Sequence, residues 1–250
     1  MTRYPTRNSS TGPFQSFASF LILLTLSLVV LSCAKATEGF SAQSVLAQGG
    51  TKIMPLGDSI TFGERSSSGG GYRLPLWEEI AAAHLHVTFV GSRNSGPAAL
   101  PDTANEGHPG WRIDQISTHV VGWLEKYQPQ IILLQIGTND IIQNYHVSTA
   151  PQRLLSLLTL ITATLPAATV FVAEVTPLGT PRLNAEIIAY NSSIPELVSG
   201  MRAQGKHVRY VDMYDAVPRS DILDRIHPDD QGYSLMAAVW YKALQPILQT

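Results

Sequence analysis

Residues 51–61 read Thr51-Lys52-Ile53-Met54-Pro55-Leu56-Gly57-Asp58-Ser59-Ile60-Thr61. The run Lys52–Leu56 is short and apolar without clean alternation, the pattern of a strand buried on both faces. A glycine, a carboxylate and a serine stand directly behind it, so this strand ends in a turn that bears chemistry. Four further runs have the same character: Val87–Val90, Ile131–Ile136, Val170–Val175 and Val208–Asp212. Amphipathic stretches predict helices over about Leu74–Ala83, Ile113–Tyr127, Pro151–Thr164, Arg182–Ala203 and Asp229–Leu248. Pro151 suits a first helical turn, and Pro129 and Pro166 fall just past helix ends. This alternation predicts an α/β fold, a three-layer α/β/α sandwich around a five-stranded parallel sheet.

In such a sheet the functional residues gather where strands end and loops begin, at the carboxyl edge. Chemically suggestive groups do follow the strands. Gly57-Asp58-Ser59 follows the first, Gly137-Thr138-Asn139-Asp140 the third and Thr176-Pro177-Leu178 the fourth. The segment after the fifth leads to Asp224-Arg225-Ile226-His227-Pro228.

Each group has a plain structural reading beside a catalytic one. Asp58 and Ser59 are both good helix caps, yet a serine at a strand end can also present a hydroxyl. The G-x-S-x-G elbow of α/β-hydrolases is absent, because no glycine follows two residues after Ser59. Asn139 can cap a helix or donate its amide to an oxyanion. Gly110, in Glu106-Gly107-His108-Pro109-Gly110-Trp111, is a turn residue that also offers an unhindered N–H. Among seven histidines, His227 has a carboxylate three residues ahead, at Asp224. That carboxylate can hold one ring nitrogen while the other faces a nucleophile. His84, His86, His119, His146 and His207 have no such partner, and His108 adjoins the glycine turn without a base's role.

Taken together, these blocks resemble the SGNH (GDSL) hydrolases, whose flavodoxin-like fold carries Ser, Gly, Asn and His blocks in this order. The resemblance spans roughly Lys52 to Leu244. It implies Ser59 as nucleophile, His227 as base and Asp224 as its orienter. It also implies an oxyanion hole made by Ser59, Gly110 and Asn139. More narrowly, Ile53–Thr61, Gly70-Gly71-Tyr72-Arg73, Glu106–Trp111 and Asp224–Tyr233 are similar to carbohydrate esterase family 3. Members of that family remove acetyl groups from xylan. Pro109 stands where that resemblance leads one to expect a serine, and it removes a backbone N–H just before Gly110. The implied reaction is serine ester hydrolysis through an acyl-enzyme, with no metal or organic cofactor. Tyr72, Trp111 and Tyr145 are candidates to stack on a sugar face. Other readings of the same scaffold are a lysophospholipase, a thioesterase, a deacetylase of another glycan and a non-catalytic glycan-binding protein.

The remaining features bound the setting. A net charge of -2 gives no electrostatic reason for a nucleic-acid partner. Arg3 and Arg7 precede an apolar run from about Phe17 to Leu31, followed by Ser32-Cys33-Ala34-Lys35-Ala36. This reads as an export leader over 1–36, cut after Ala36 or lipidated at Cys33. The apolar run falls short of the roughly 20 residues of a spanning helix. A linker over 37–50 and a hydrolase domain over 51–250 follow. The expected protein is secreted, or exported and lipid-anchored, and a monomer. Cys33 is the single cysteine, so the domain behind the leader has no disulfide and no cysteine nucleophile.

Overall fold

The computed structural model describes residues 50–249; Cys33 and the leader and linker expected ahead of Gly50 lie outside the described residues. In chain order, β1 (Thr51–Gly57) leads into the short helix α1 (Ser59–Phe62), and α2 (Arg73–Ala82) follows. Three small strands come next: β2 (Val87–Phe89), β3 (Arg93–Asn94) and β4 (Ala104–Gly107). Then come α3 (Ile113–Tyr127), β5 (Ile131–Gln135), α4 (Thr138–Ile142), α5 (Ala150–Thr164) and β6 (Thr169–Ala173). The chain continues through α6 (Pro181–Asn191), α7 (Ile194–Ala203), β7 (Val208–Val211) and α8 (Asp230–Leu248).

The sheet runs β3-β4-β1-β5-β6-β7, with β2 also paired to β1. Every pairing is parallel except that of β3 with β4. The five expected strands are present, but the sheet has seven. The two additions are too short and too polar for hydrophobic periodicity to reveal. Arg93–Asn94 is exposed, and Ala104–Gly107 contains the polar pair Asn105 and Glu106.

Strand β1 owes its position to successive side chains pointing to opposite faces. Met54 and Leu56 join a core with Ile132, Leu134, Val170 and Val172, under the layer that includes α3 and α5. Ile53 joins Ile131, Leu133 and Phe171 in a second core, under α2 and α8. Burial on both faces explains why the strands read as unbroken apolar runs.

Pro55 lies in the middle of β1, where a missing N–H would normally break a ladder. The odd-numbered residues of β1 point to the edge away from β5. Ile53 O accepts from Val90 N there, and Gly57 O accepts from His108 N. On that edge β2 covers only Thr51–Ile53, and β4 only Leu56–Gly57. Pro55 falls in the gap between them, so no ladder bond is lost.

One expected helix divides. The stretch Arg182–Ala203 forms α6 and α7, separated by Ser192-Ser193. Pro195 stands in the first turn of α7, where it starts a helix but could not continue one.

Candidate active site

The carboxyl ends of β1 and β5 carry the first two groups. Asp58 caps α1, its Oδ1 accepting from Ile60 N at 3.0 Å. The capping role therefore falls to Asp58 and leaves the Ser59 hydroxyl free. His227 Nε2 lies 2.9 Å from Ser59 Oγ, across 168 positions of sequence. Its Nδ1 lies 3.0 Å from Asp224 Oδ2 and 3.1 Å from Oδ1. Ser59 and His227 are 6% and 8% exposed, so their hydrogen bond is largely withdrawn from water.

The Asp224–His227 segment is organised locally. Leu223 N donates to His227 O at 2.7 Å, closing the loop. Inside it, Asp224 Oδ1 accepts from the backbone N–H groups of His227 at 3.1 Å and Ile226 at 3.3 Å. Arg65 Nε meets Asp224 Oδ2 at 2.7 Å. Burial pushes the Asp224 carboxyl up, but the donors of His227 and the Arg65 guanidinium outweigh it and hold the group at about 2. Asp224 is therefore ionised at neutral pH. It can keep Nδ1 protonated and Nε2 free to take a proton.

Asn139 is set by the anchors of α4. Its neighbour Asp140 is fully buried, accepts from Ile113 N at 3.0 Å and pairs with Arg153 at 2.6 Å. These bonds tie α4 to the start of α3 and to α5. Gly137, just before α4, has φ +129, and a Cβ there would lie 2.6 Å from the Tyr190 ring. Only glycine fits. The Asn139 amide donates to Trp111 O at 3.0 Å and makes a longer 3.4 Å contact with Asp58 Oδ2. That longer contact is weak enough to be exchanged for an oxyanion.

Gly110 lies in a turn closed by Trp111 N donating to His108 O at 3.1 Å. Its φ of +77, with Pro109 before it, is what a type II turn requires. Pro109 thus pre-sets the turn rather than disrupting it. Gln143 Nε2 holds the Gly110 carbonyl at 2.9 Å, and Arg112 Nη1 holds Gln143 Oε1 at 2.7 Å. The N–H of Gly110 meets no backbone acceptor among the described residues.

The three aromatic candidates separate. Tyr72 is fully buried, its hydroxyl 3.4 Å from Thr61 Oγ1 and its ring 5.9 Å from that of Trp240. It is a core residue under α2 and α8 and cannot reach a sugar. Trp111 is partly buried and stacks on His108 at 4.3 Å. Tyr145 is also partly buried, with the Arg112 guanidinium 4.0 Å from its ring centre. His108 is bound to the buried Glu106, with Nε2 2.9 Å from Oε2.

Sequence reasoning gave no role to two groups at the site. Glu64 and Arg65 flank the His227–Asp224 pair. They follow the serine block at a spacing that matches no motif. Arg73 was visible only as the last residue of Gly-Gly-Tyr-Arg. Its fully buried guanidinium donates to Thr61 O, Phe62 O, Ser95 O and Thr103 O. It thereby fastens the end of α1, the helix that begins at Ser59, to the β3–β4 region. A cation followed by Leu74-Pro75-Leu76-Trp77 was the available signal.

The sequence profile described as GDSL-like Lipase/Acylhydrolase matches residues 53–240. The chain belongs to this family. It is 30% identical over 254 residues to the "Multidomain esterase" of Ruminococcus flavefaciens, a match that takes in 90% of this chain and 32% of that protein. The chain thus spans about a third of that relative's length. Among solved structures it is similar to the Clostridium thermocellum family 3 carbohydrate esterase, at 36% identity and a TM-score of 0.73. That match covers 80% of this chain and 97% of the other. An acetyl esterase, crystallised as a mutant with acetate ion, is similar at 27% identity and a TM-score of 0.70. There the coverage is 80% of this chain and 98% of the other. The family and the fold read from the sequence, with the likeness to family 3 carbohydrate esterases, are those the comparisons show.

Proposed function

We propose that this protein is a serine esterase that removes acetyl groups from acetylated polysaccharide, xylan above all, through an acyl-enzyme. The observation that carries this reading is the unbroken chain Ser59 Oγ–His227 Nε2 and His227 Nδ1–Asp224 in a GDSL-family scaffold. In the proposed sequence Nε2 takes the Ser59 proton as Oγ attacks the ester carbonyl. The N–H groups of Ser59 and Gly110 and the Asn139 amide receive the oxyanion. Losing one such donor typically costs about 10²–10³ in rate. The imidazolium then protonates the departing sugar oxygen, leaving acetyl on Ser59. Water, deprotonated by His227, attacks the acyl-enzyme and acetate departs with the serine proton restored.

Acetyl and sugar enter this reading from two supports. They are the likeness to a family 3 carbohydrate esterase and the likeness to an acetyl esterase. The expected leader would place the enzyme outside the cell, free or anchored through a lipid on Cys33, where such polymers are found. Acetate release from acetylated xylan, compared with hydrolysis of long-chain esters by wild type and Ser59→Ala, tests the reading. Preference for the long-chain esters, or activity retained without the serine, would overturn it.

A further inference from the structure

The carboxylate of Glu64 stands beside the proton-carrying nitrogen. Its Oε2 lies 3.4 Å from His227 Nε2, and its side chain is 41% exposed. No side-chain or backbone donor among the described residues is hydrogen bonded to that carboxylate, and Nε2 itself is bonded to Ser59 Oγ. The backbone beneath it is fixed. Glu64 N donates to Ser59 O at 3.0 Å, and the Tyr233 hydroxyl donates to Glu64 O at 2.6 Å. Gly63, at φ +96, turns the chain at the end of α1 so that Glu64 returns over the site. A charged acceptor is thus held at the mouth of the site with its hydrogen-bonding capacity unused.

Its location matters because of what Nε2 must do. In acyl transfer that nitrogen gives its proton to the leaving oxygen, so the leaving oxygen comes within hydrogen-bonding distance of it. A carboxylate oxygen next to the same nitrogen then faces the atoms adjacent to that oxygen. On a sugar, the neighbouring carbon bears a hydroxyl, which is a donor. On a simple alcohol or a phenol it bears none. We propose that Glu64 is a substrate-binding residue that selects leaving groups carrying a hydroxyl next to the ester oxygen, an assignment resting on the sugar-ester reading above. The carboxylate accepts a hydrogen bond from that hydroxyl and transfers no proton itself. It also disfavours leaving groups that bear a negative charge at the same place.

The test uses two acetates that differ only in this hydroxyl, cyclohexyl acetate and trans-2-hydroxycyclohexyl acetate, with wild type, Glu64→Ala and Glu64→Gln. The readout is the ratio of kcat/KM for the hydroxylated ester to that for the plain one. A hydrogen bond to a charged group predicts that Glu64→Ala lowers this ratio roughly tenfold or more relative to wild type. Glu64→Gln, which keeps an acceptor oxygen without the charge, should fall between the two. An unchanged ratio in Glu64→Ala overturns the assignment, whether both rates hold or both fall together. Acetylated xylan is assayed in parallel with wild type. A protein inert on xylan whose diol-ester preference still depends on Glu64 supports this assignment and removes xylan as the substrate.

Discussion

Arg65 Nε lies 2.7 Å from Asp224 Oδ2, while the same carboxylate meets His227 Nδ1 at 3.0 Å. The Asp224 carboxylate is therefore shared between the proposed base and a cation. Arg65 is 60% exposed, so this pair adds little to stability, under about 1 kcal/mol. Its use is to keep Asp224 ionised and fixed. Arg65→Ala is expected to leave the melting temperature nearly unchanged and to lower kcat several-fold. Thermal unfolding and steady-state kinetics on the same preparation check both halves.

Asp224→Asn should be far more damaging to catalysis, by about 10³–10⁴ in kcat, because an amide cannot hold the imidazole in the required tautomer. The same group shapes acid stability. Its folded value of about 2 lies below the ordinary carboxylate value of 3.8. A depressed carboxylate contributes stability above its unfolded pKa and loses it as pH falls through the folded one. Wild type is expected to lose urea resistance between about pH 4 and pH 2 more steeply than Asp224→Asn. Matching slopes would show that Asp224 carries no such linkage.

Asp58 works in the opposite sense. Burial pushes its carboxyl up to about 6, the Ile60 N–H only partly offsetting it. The folded protein then binds this proton more tightly than the unfolded chain. Stability from Asp58 therefore falls as pH rises from about 4 through about 6, and is level above that. Asp58→Asn is expected to flatten the pH dependence in that window. Urea midpoints at closely spaced pH values would show it, and an unaltered slope would exclude Asp58 as its source.

Gly137→Ala should destabilise the fold by about 1–3 kcal/mol, through a positive φ and a Cβ forced against Tyr190. Because α4 begins at the next residue, the same strain moves Asn139. The expected signature is a fall in kcat larger than any rise in KM. A control at an open position, Gly122→Ala, meets no atom within 4 Å and should be neutral or better. Equal effects at the two sites would contradict this account.

Arg73→Lys keeps the charge but cannot span the four carbonyls that the guanidinium binds. Each carbonyl left without a donor in the interior is expected to cost about 1–3 kcal/mol. Chemical denaturation measures the loss. A variant as stable as wild type would show that water replaces the fork.

The pattern of residues along the chain is enough for the mostly parallel sheet and for the polar groups that follow its strands. Runs such as Ile131–Gln135 must be buried on both faces, and a strand between helices has few other packings. It also marked Asp224–His227, because that pair closes within one short loop through Leu223, Asp224 and His227. Local geometry is legible where the partners are neighbours. Tertiary structure alone decided what depends on distant partners. No spacing announces that β4 would share an edge of β1 with β2, leaving a gap for Pro55. Nor could pattern show that Tyr72 faces the core rather than a sugar, since an aromatic beside Gly-Gly suits either. Glu64 and Arg65 gained their places only when the loop after α1 met the segment from Asp224 to Asp230, some 160 residues away, where Ser67 N bonds Asp230. Such contacts follow from which surfaces the packed layers bring together, and that information is not carried by any residue's neighbours in the chain.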